Sequence, residues 1–330
     1  MFICKRLIKL SAWLVEMPQY NFNDNKLTVY VGSAPIFFAE RLIRQLASSG
    51  VNAKELALPK KKLDALIWTW KMRKSKPKIV HYLWGSHHPL VYIIPKLLRR
   101  KVIIHWIGTD VIYATSSKED SFNALLRKIS YKMVDMHLVV IQRLADELSS
   151  LGIDAKVVPL VPNMPLPQED ITWPAQDQAL VSLPEARLEF YSSSLVFQLA
   201  EKLPEIKFLI VAHSGEGAPQ LPNIKYLGRV DDMETVWKQV KVYLRLTKHD
   251  GLPQTLIEAL ARGKHVIWSY EYPFCHQAYT FKKAKDALRD ILRRNQPNIE
   301  GMHYVHTHFE SSKVVQSYKN IYLKVLNLTR

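Results

Sequence analysis

Residues 241–267, KVYLRLTKHDGLPQTLIEALARGKHVI, read as strand, polar loop, helix, glycine turn and strand. Asp250 closes the loop, and Gly251 lets the backbone pass close to a ligand. Pro253 suits the first turn of a helix, where a missing N–H costs nothing. The helix that follows presents unpaired N–H groups and positive potential, a seat for a phosphate. Glu258 stands eight residues after Asp250, on that helix. An acceptor-only carboxylate is a natural partner for a pair of sugar or ribose hydroxyls.

The same alternation extends outward in both directions. Short β-branched runs predict strands at 27–31, 55–58, 79–84, 102–107, 137–141 and 156–160. Between them, helical periodicity covers 37–46, 90–99, 121–133 and 142–151. Pro159, Pro162, Pro165, Pro167 and Pro174 then interrupt the pattern, and residues 162–178 read as a linker. Beyond it, strands are predicted at 179–183, 207–212, 224–227, 241–246 and 265–268. Helices are predicted at 190–202, 233–239, 253–261 and 276–294, with a closing helix at 311–328. Strand–helix alternation on both sides of a linker predicts two α/β domains built on parallel sheets, residues 1–161 and 179–310, with 311–330 closing the chain. Ligands of such sheets bind outside the carboxyl ends of the strands, so the important residues should follow strands.

The segment 241–267 resembles the donor-binding signature of GT-B glycosyltransferases, especially the retaining enzymes of family 4. Asp250-Gly251 stands at that signature's first Glu-Gly, Glu258 with Ala259 and Ala261 at its second acidic block, and Gly263, Val266 and Ile267 fall in place. The resemblance implies two Rossmann-like, doubly wound domains facing an interdomain cleft. It implies that Asp250 holds hydroxyls of the donor sugar and that Glu258 holds the ribose. Gly251, Leu252, Thr255 and His249 would complete the donor loop. The family's Gly-Arg…Lys diphosphate clamp is not evident, in a chain with 11 glycines. Arg187, Arg245 and Lys248 are the candidate replacements, since an Arg fork or Lys point charge stabilises a departing diphosphate. His213 stands where the family has a loop near base and ribose. In the first domain, Gly32 and Ser33 follow the first strand. The loop 84–89 with His87 resembles the family's His-Ser-Pro loop, and 105–110 its His-Gly-Thr-Asp stretch. In that stretch Ile107 takes the usual His position, which leaves His87, His105 and Asp110 as acceptor-side candidates.

Composition narrows the partners. The chain of 330 residues carries a net charge of +16, with +13 in residues 1–165. Residues 54–101 hold thirteen Lys and Arg against Glu55 and Asp64, a surface suited to an anionic membrane. No helix-turn-helix, zinc or aromatic-basic strand motif accompanies that charge, so no nucleic-acid partner is expected. Residues 1–17 place Phe2, Ile3, Leu7, Leu10, Trp13, Leu14 and Met17 on one helical face, but four charges interrupt the run, too many for a spanning segment, and with no small-residue cleavage site no signal peptide is expected. Two cysteines fit a reducing cytoplasm.

The expected protein is therefore a cytoplasmic glycosyltransferase, peripheral on the inner face of the cell membrane. It would move a sugar from a nucleotide-sugar donor to a saccharide or lipid-linked acceptor in bacterial surface polysaccharide synthesis. The absence of an Asp-x-Asp motif makes it metal-independent, with no cofactor. A nucleotide-sugar epimerase on the same fold, or an inactive GT-B binding protein, is the alternative.

Overall fold

The computed structural model describes residues 27–33, 37–59, 62–115, 121–162 and 171–327. The amphipathic stretch 1–17 and residues 163–170 of the expected linker lie outside them. The chain divides into two compact units, Met1–Val161 with Val314–Arg330, and Pro162–Lys313.

Unit 1 holds a parallel sheet of β1 (Thr28–Ser33), β2 (Asn52–Glu55), β3 (Ile79–Leu83), β4 (Lys101–Trp106), β5 (Met136–Val139) and β6 (Ala155–Val157), in the order β2-β1-β3-β4-β5-β6. Its helices are α1 (Phe37–Ser48), α2 (Lys62–Ser75), α3 (Leu90–Leu97), α4 (Asp110–Thr115), α5 (Ser121–Lys132) and α6 (Gln142–Ser149). β3 and β4 are buried almost throughout, as parallel strands covered on both faces must be. The strand order reverses between β1 and β3, so the crevice for a ligand opens at their carboxyl ends.

Unit 2 repeats the design with β7 (Gln178–Ser182), β8 (Lys207–Val211), β9 (Ile224–Gly228), β10 (Val242–Arg245), β11 (His265–Trp268) and β12 (Cys275–Gln277). The order β12-β11-β10-β7-β8-β9 is the Rossmann order, and its reversal lies between β7 and β10. Ahead of its helices, Glu185–Arg187 forms a 3₁₀ turn. The helices are α7 (Ser193–Lys202), α8 (Glu234–Trp237), α9 (Gln254–Ala261), α10 (Phe281–Arg294) and α11 (Ile299–His308). Its core packs Val181, Phe208, Ile210, Leu244 and Ile267 of the sheet against Val196, Leu199, Leu288 and Ile291 of α7 and α10.

The last helix, α12 (Ser311–Asn327), lies mostly in unit 1. Tyr318 and Tyr322 are fully buried there, and Tyr322 hydrogen-bonds His81 of β3 at 2.8 Å. Lys319 donates to the Ser49 carbonyl at 3.1 Å. Among the described residues, no helix is long and apolar enough to cross a membrane.

Several expectations shift. The second strand is 52–55, not 55–58, because Thr28 pairs with Asn52 while Leu56 turns inward as buried loop. The predicted helix 276–294 begins late. Cys275–Gln277 extends the sheet as β12, and Thr280 caps α10 by accepting from the Lys283 amide. Helices α2, α4 and α11 have no counterpart in the sequence pattern. Gly32 and Ser33 end β1 rather than following it.

Candidate active site

The decisive loop of unit 2 lies where the sheet topology places a ligand, at the carboxyl ends of β7 and β10. Arg245 ends β10, and its guanidinium grips Asp250 through two bonds, Nε to Oδ2 at 2.5 Å and Nη2 to Oδ1 at 3.2 Å. Thr247 Oγ1 donates to Oδ2 at 3.3 Å, and the Gly251 amide to Oδ1 at 3.0 Å. Both partners of the pair are largely buried, with 14% and 13% of their side chains exposed. Burial opposes the Arg245 charge, but the Asp250 carboxylate outweighs it and holds the group protonated.

Behind this pair sits a hydroxyl cluster that the sequence does not announce. Tyr243 Oη lies 2.7 Å from Thr255 Oγ1 on α9 and 3.1 Å from Ser182 Oγ at the end of β7. Arg245 Nη1 donates to the same oxygen at 3.5 Å, and the Tyr191 ring lies 5.3 Å from the guanidinium carbon. The cluster ties the end of β7, β10 and the first turn of α9 together. Pro253 occupies the extended position just before α9, and Leu252 beside it is buried. Glu258 is buried within α9, its backbone carbonyl accepting from Arg262 at 2.9 Å.

The other donor-side candidates differ in how firmly they are held. Lys248 pairs with Glu189 on the surface, where both side chains are more than half exposed. Solvent screens such an exposed pair, so Lys248 can leave it for a ligand. Arg187 is exposed and stacks over the Phe190 ring at 4.0 Å. His249 is half-buried beside Asp250. His213 is buried after β8, its Nδ1 accepting from the Gly215 amide at 3.0 Å and lying 3.4 Å from Glu185. The residue before it, Ala212, has a positive φ of 64°. A non-glycine residue in that conformation is strained, and such strain gathers at functional edges.

Unit 1 shows the same device after β3, where Trp84 has φ 96°. The chain then turns at Gly85, where an added Cβ would stand 2.1 Å from the Trp106 ring. The Gly85 carbonyl accepts from Tyr92 at 2.7 Å and Tyr131 at 3.1 Å, and Arg127 donates to the His87 carbonyl at 3.3 Å. His87 is half-buried, and burial pushes it down to about 4, so it is a neutral imidazole at pH 7. Its Nε2 is buried without a hydrogen-bond partner among the described residues.

Two acceptor-side expectations need correction. His105 lies inside β4 and is fully buried, its Nε2 2.9 Å from the Val158 carbonyl and its Nδ1 3.2 Å from Tyr318 Oη. Its ring stacks on His81 at 5.8 Å, and burial drives it down to about 3. It belongs to the core that receives α12, not to an acceptor surface. Asp110 is likewise fully buried. It accepts from the amides of Gly85 and Gly108 at 2.7 Å each and of Ile107 at 3.2 Å. Burial lifts its carboxyl to about 6 against those donors. Asp110 stitches the loop after β3 to the loop after β4. Ser33 is half-buried at the strand end, and Gly32 packs against Leu58 and the Leu56 carbonyl.

No protein-family model matches the chain, and neither does any of the curated proteins. Solved structures do. Sucrose-phosphate synthase from Thermosynechococcus elongatus is similar with a TM-score of 0.70 and 12% identity, over 92% of this chain and 100% of that one. HepE from Anabaena, solved with UDP and glucose, gives 0.66 and 10% over 89% and 99%. The lipopolysaccharide outer core galactosyltransferase WaaB gives 0.66 and 12% over 90% and 99%. With two Rossmann-like units, each a six-stranded parallel sheet clothed in helices, the chain has the GT-B fold.

Proposed function

We propose that this protein is a glycosyltransferase that moves a sugar from a nucleotide-sugar donor to a saccharide or lipid-linked acceptor. The observation that carries the reading is the edge built by Arg245, Tyr243, Thr255 and α9 at the carboxyl ends of β7 and β10. A phosphate there would meet a guanidinium and a helix N-terminus together. The fold supports the same reading, because HepE, which shares it, was solved with UDP-glucose.

In this proposal the bond between the anomeric carbon and the diphosphate oxygen breaks while the acceptor oxygen bonds to that carbon. The acceptor proton passes to the leaving phosphate, with retention of configuration and without a metal. Charge builds on the diphosphate as it departs, and fixed positive groups at that point stabilise the transition state most. Arg245 is the held cation of this edge, and Lys248 and Arg187 are the movable ones. Glu258 is the candidate for the ribose hydroxyls and His213 for the base. His87, neutral and with a spare ring nitrogen, is the candidate acceptor contact in unit 1.

The exposed Lys54, Lys71, Arg73, Lys74, Lys76 and Arg99 support a peripheral site on the inner face of a bacterial membrane, and a role in surface polysaccharide synthesis. Trp70, 60% exposed with Lys74 5.2 Å from its ring, is an amphipathic pair of the kind found at membrane interfaces. Flotation with liposomes tests this, and equal binding to neutral and anionic vesicles would count against it. Transfer itself is tested by incubating the protein with UDP-sugars and saccharide or lipid-linked acceptors. Glu258→Ala should raise the donor KM at least tenfold, roughly the effect of losing a charged hydrogen bond. Wild-type kinetics in that variant would remove Glu258 from the site, and release of an isomerised nucleotide sugar without acceptor would make the enzyme an epimerase.

A further inference from the structure

We propose that Asp250 is a positioning residue for Arg245 rather than a ligand of sugar hydroxyls, so that the edge of β10 recognises an oxyanion. This rests on the nucleotide-sugar reading above and narrows what that site accepts.

The argument is one of saturation. An ionised carboxylate offers about four lone-pair sites. At Asp250 all four have donors: Arg245 Nε and Thr247 Oγ1 on Oδ2, and Arg245 Nη2 and the Gly251 amide on Oδ1. A sugar hydroxyl seeking an acceptor there would have to displace a charge-assisted bond in a largely buried pair. Arg245 is in the opposite condition. Of the five N–H groups of a guanidinium, three are engaged among the described residues, one of them only at 3.5 Å to Tyr243. The remaining donors belong to Nη1 and Nη2, the end of the side chain beyond its bidentate grip on Asp250.

Orientation follows from the same contacts. Tyr243, fixed by Ser182 and Thr255, and the Tyr191 ring hold the guanidinium in place. A cation fixed in this way and paired on one side is preorganised for a planar or tetrahedral oxyanion on the other. Two groups of a donor have that chemistry, its diphosphate and the carboxylate of an acidic sugar.

Isothermal titration on the full chain separates the possibilities, using inorganic pyrophosphate, UDP, UDP-glucose and UDP-glucuronate against wild type, Arg245→Gln, Asp250→Asn and the double variant. Arg245→Gln should weaken pyrophosphate and UDP at least tenfold if the oxyanion is the diphosphate. If it is a sugar carboxylate, wild type should prefer UDP-glucuronate over UDP-glucose and Arg245→Gln should lose that preference. Asp250→Asn should repeat the Arg245→Gln pattern in weaker form, and the double variant should be no worse than Arg245→Gln alone. Two results overturn the proposal: all four ligands binding wild type and Arg245→Gln alike, or Asp250→Asn losing UDP-glucose while keeping UDP. Pyrophosphate needs no sugar and no turnover. A protein that binds it through Arg245 but transfers nothing would sink the transferase reading and leave this inference standing.

Discussion

Each unit sets a largely buried aspartate among the loops at the carboxyl end of its sheet, and the two do opposite jobs. Asp110 in unit 1 accepts from the amides of Gly85, Ile107 and Gly108, and its partners are all backbone. Asp250 in unit 2 spends half its capacity on Arg245. The first carboxylate shapes two loops, one of which carries the neutral imidazole of His87 with a spare nitrogen. The second holds a guanidinium in place and leaves its outer N–H groups for a ligand. Where a fold puts an acid therefore does not fix what the acid is for; the charge state of its partners does.

The comparison is broken most directly at Asp110. Asp110→Ala leaves up to three buried N–H groups unpaired, at about 1–3 kcal/mol for each group that water cannot reach. A loss of roughly 4 kcal/mol is expected in urea unfolding, with Asp110→Asn losing about half, since one amide oxygen remains. A loss below about 1 kcal/mol in the alanine variant would mean that the two loops do not depend on the carboxylate.

Acidity sharpens the contrast next. Burial holds His105 down to about 3 and His137 down to about 4. The unfolded chain takes up protons at these positions below about pH 6.5 while the folded chain does not. Their share of stability is therefore whole above that pH and is lost as pH falls. Between pH 7 and pH 5 each withdraws roughly 2 kcal/mol. Asp110, raised to about 6, runs the other way: its folded state binds a proton first, so it returns about 1 kcal/mol over the same interval. Together these three groups withdraw roughly 3 kcal/mol from unit 1, and His81 and His87, also held down by burial, add to the loss. Hydrogen exchange on the β4 and β5 amides, corrected for the intrinsic rate, measures it. Unchanged protection at pH 5 would show that these histidines already reach solvent.

Catalysis compares the two edges themselves. Arg245→Gln should lower kcat with a UDP-sugar about a hundredfold, the typical cost of removing a transition-state charge partner. His87→Gln, which keeps a hydrogen-bonding group in unit 1, should raise the acceptor KM about tenfold with a smaller fall in kcat. The reverse ranking would put the chemistry on unit 1.

Much of this was legible in the linear sequence, and the physical reason is locality. Buried parallel strands such as β3, β4 and β8 are short β-branched runs, and they read clearly. Loop, helix and second acid from Asp250 to Glu258 are contiguous, so their register could be seen. Three residues of β12 carry too little pattern to outweigh the helix behind them. Helix α2 buries Trp68 and Met72 yet exposes Trp70, so its apolar side chains do not read as one stripe. His105 was misread because a histidine on a strand gives no sign of its burial until α12 supplies Tyr318 from 213 residues away. The Arg245–Asp250 grip spans five residues, but saturation of the carboxylate depends on side-chain geometry that spacing does not show.

The smallest effect tests the least legible part, the hydroxyl cluster of Ser182, Tyr243 and Thr255. These residues lie 61 and 12 positions from one another along the chain and meet at one oxygen. Thr255→Val keeps the shape and β-branching of the side chain but removes the bond to Tyr243. A neutral hydrogen bond contributes about 1 kcal/mol, so stability should fall by that amount. If the cluster serves to fix Arg245, the variant should also lower pyrophosphate affinity two- to threefold while leaving His87-dependent acceptor kinetics unchanged. A fall in stability alone would make the cluster a packing device of unit 2. A fall in affinity alone would show that orientation of the guanidinium, rather than strength of the edge, is what Thr255 supplies.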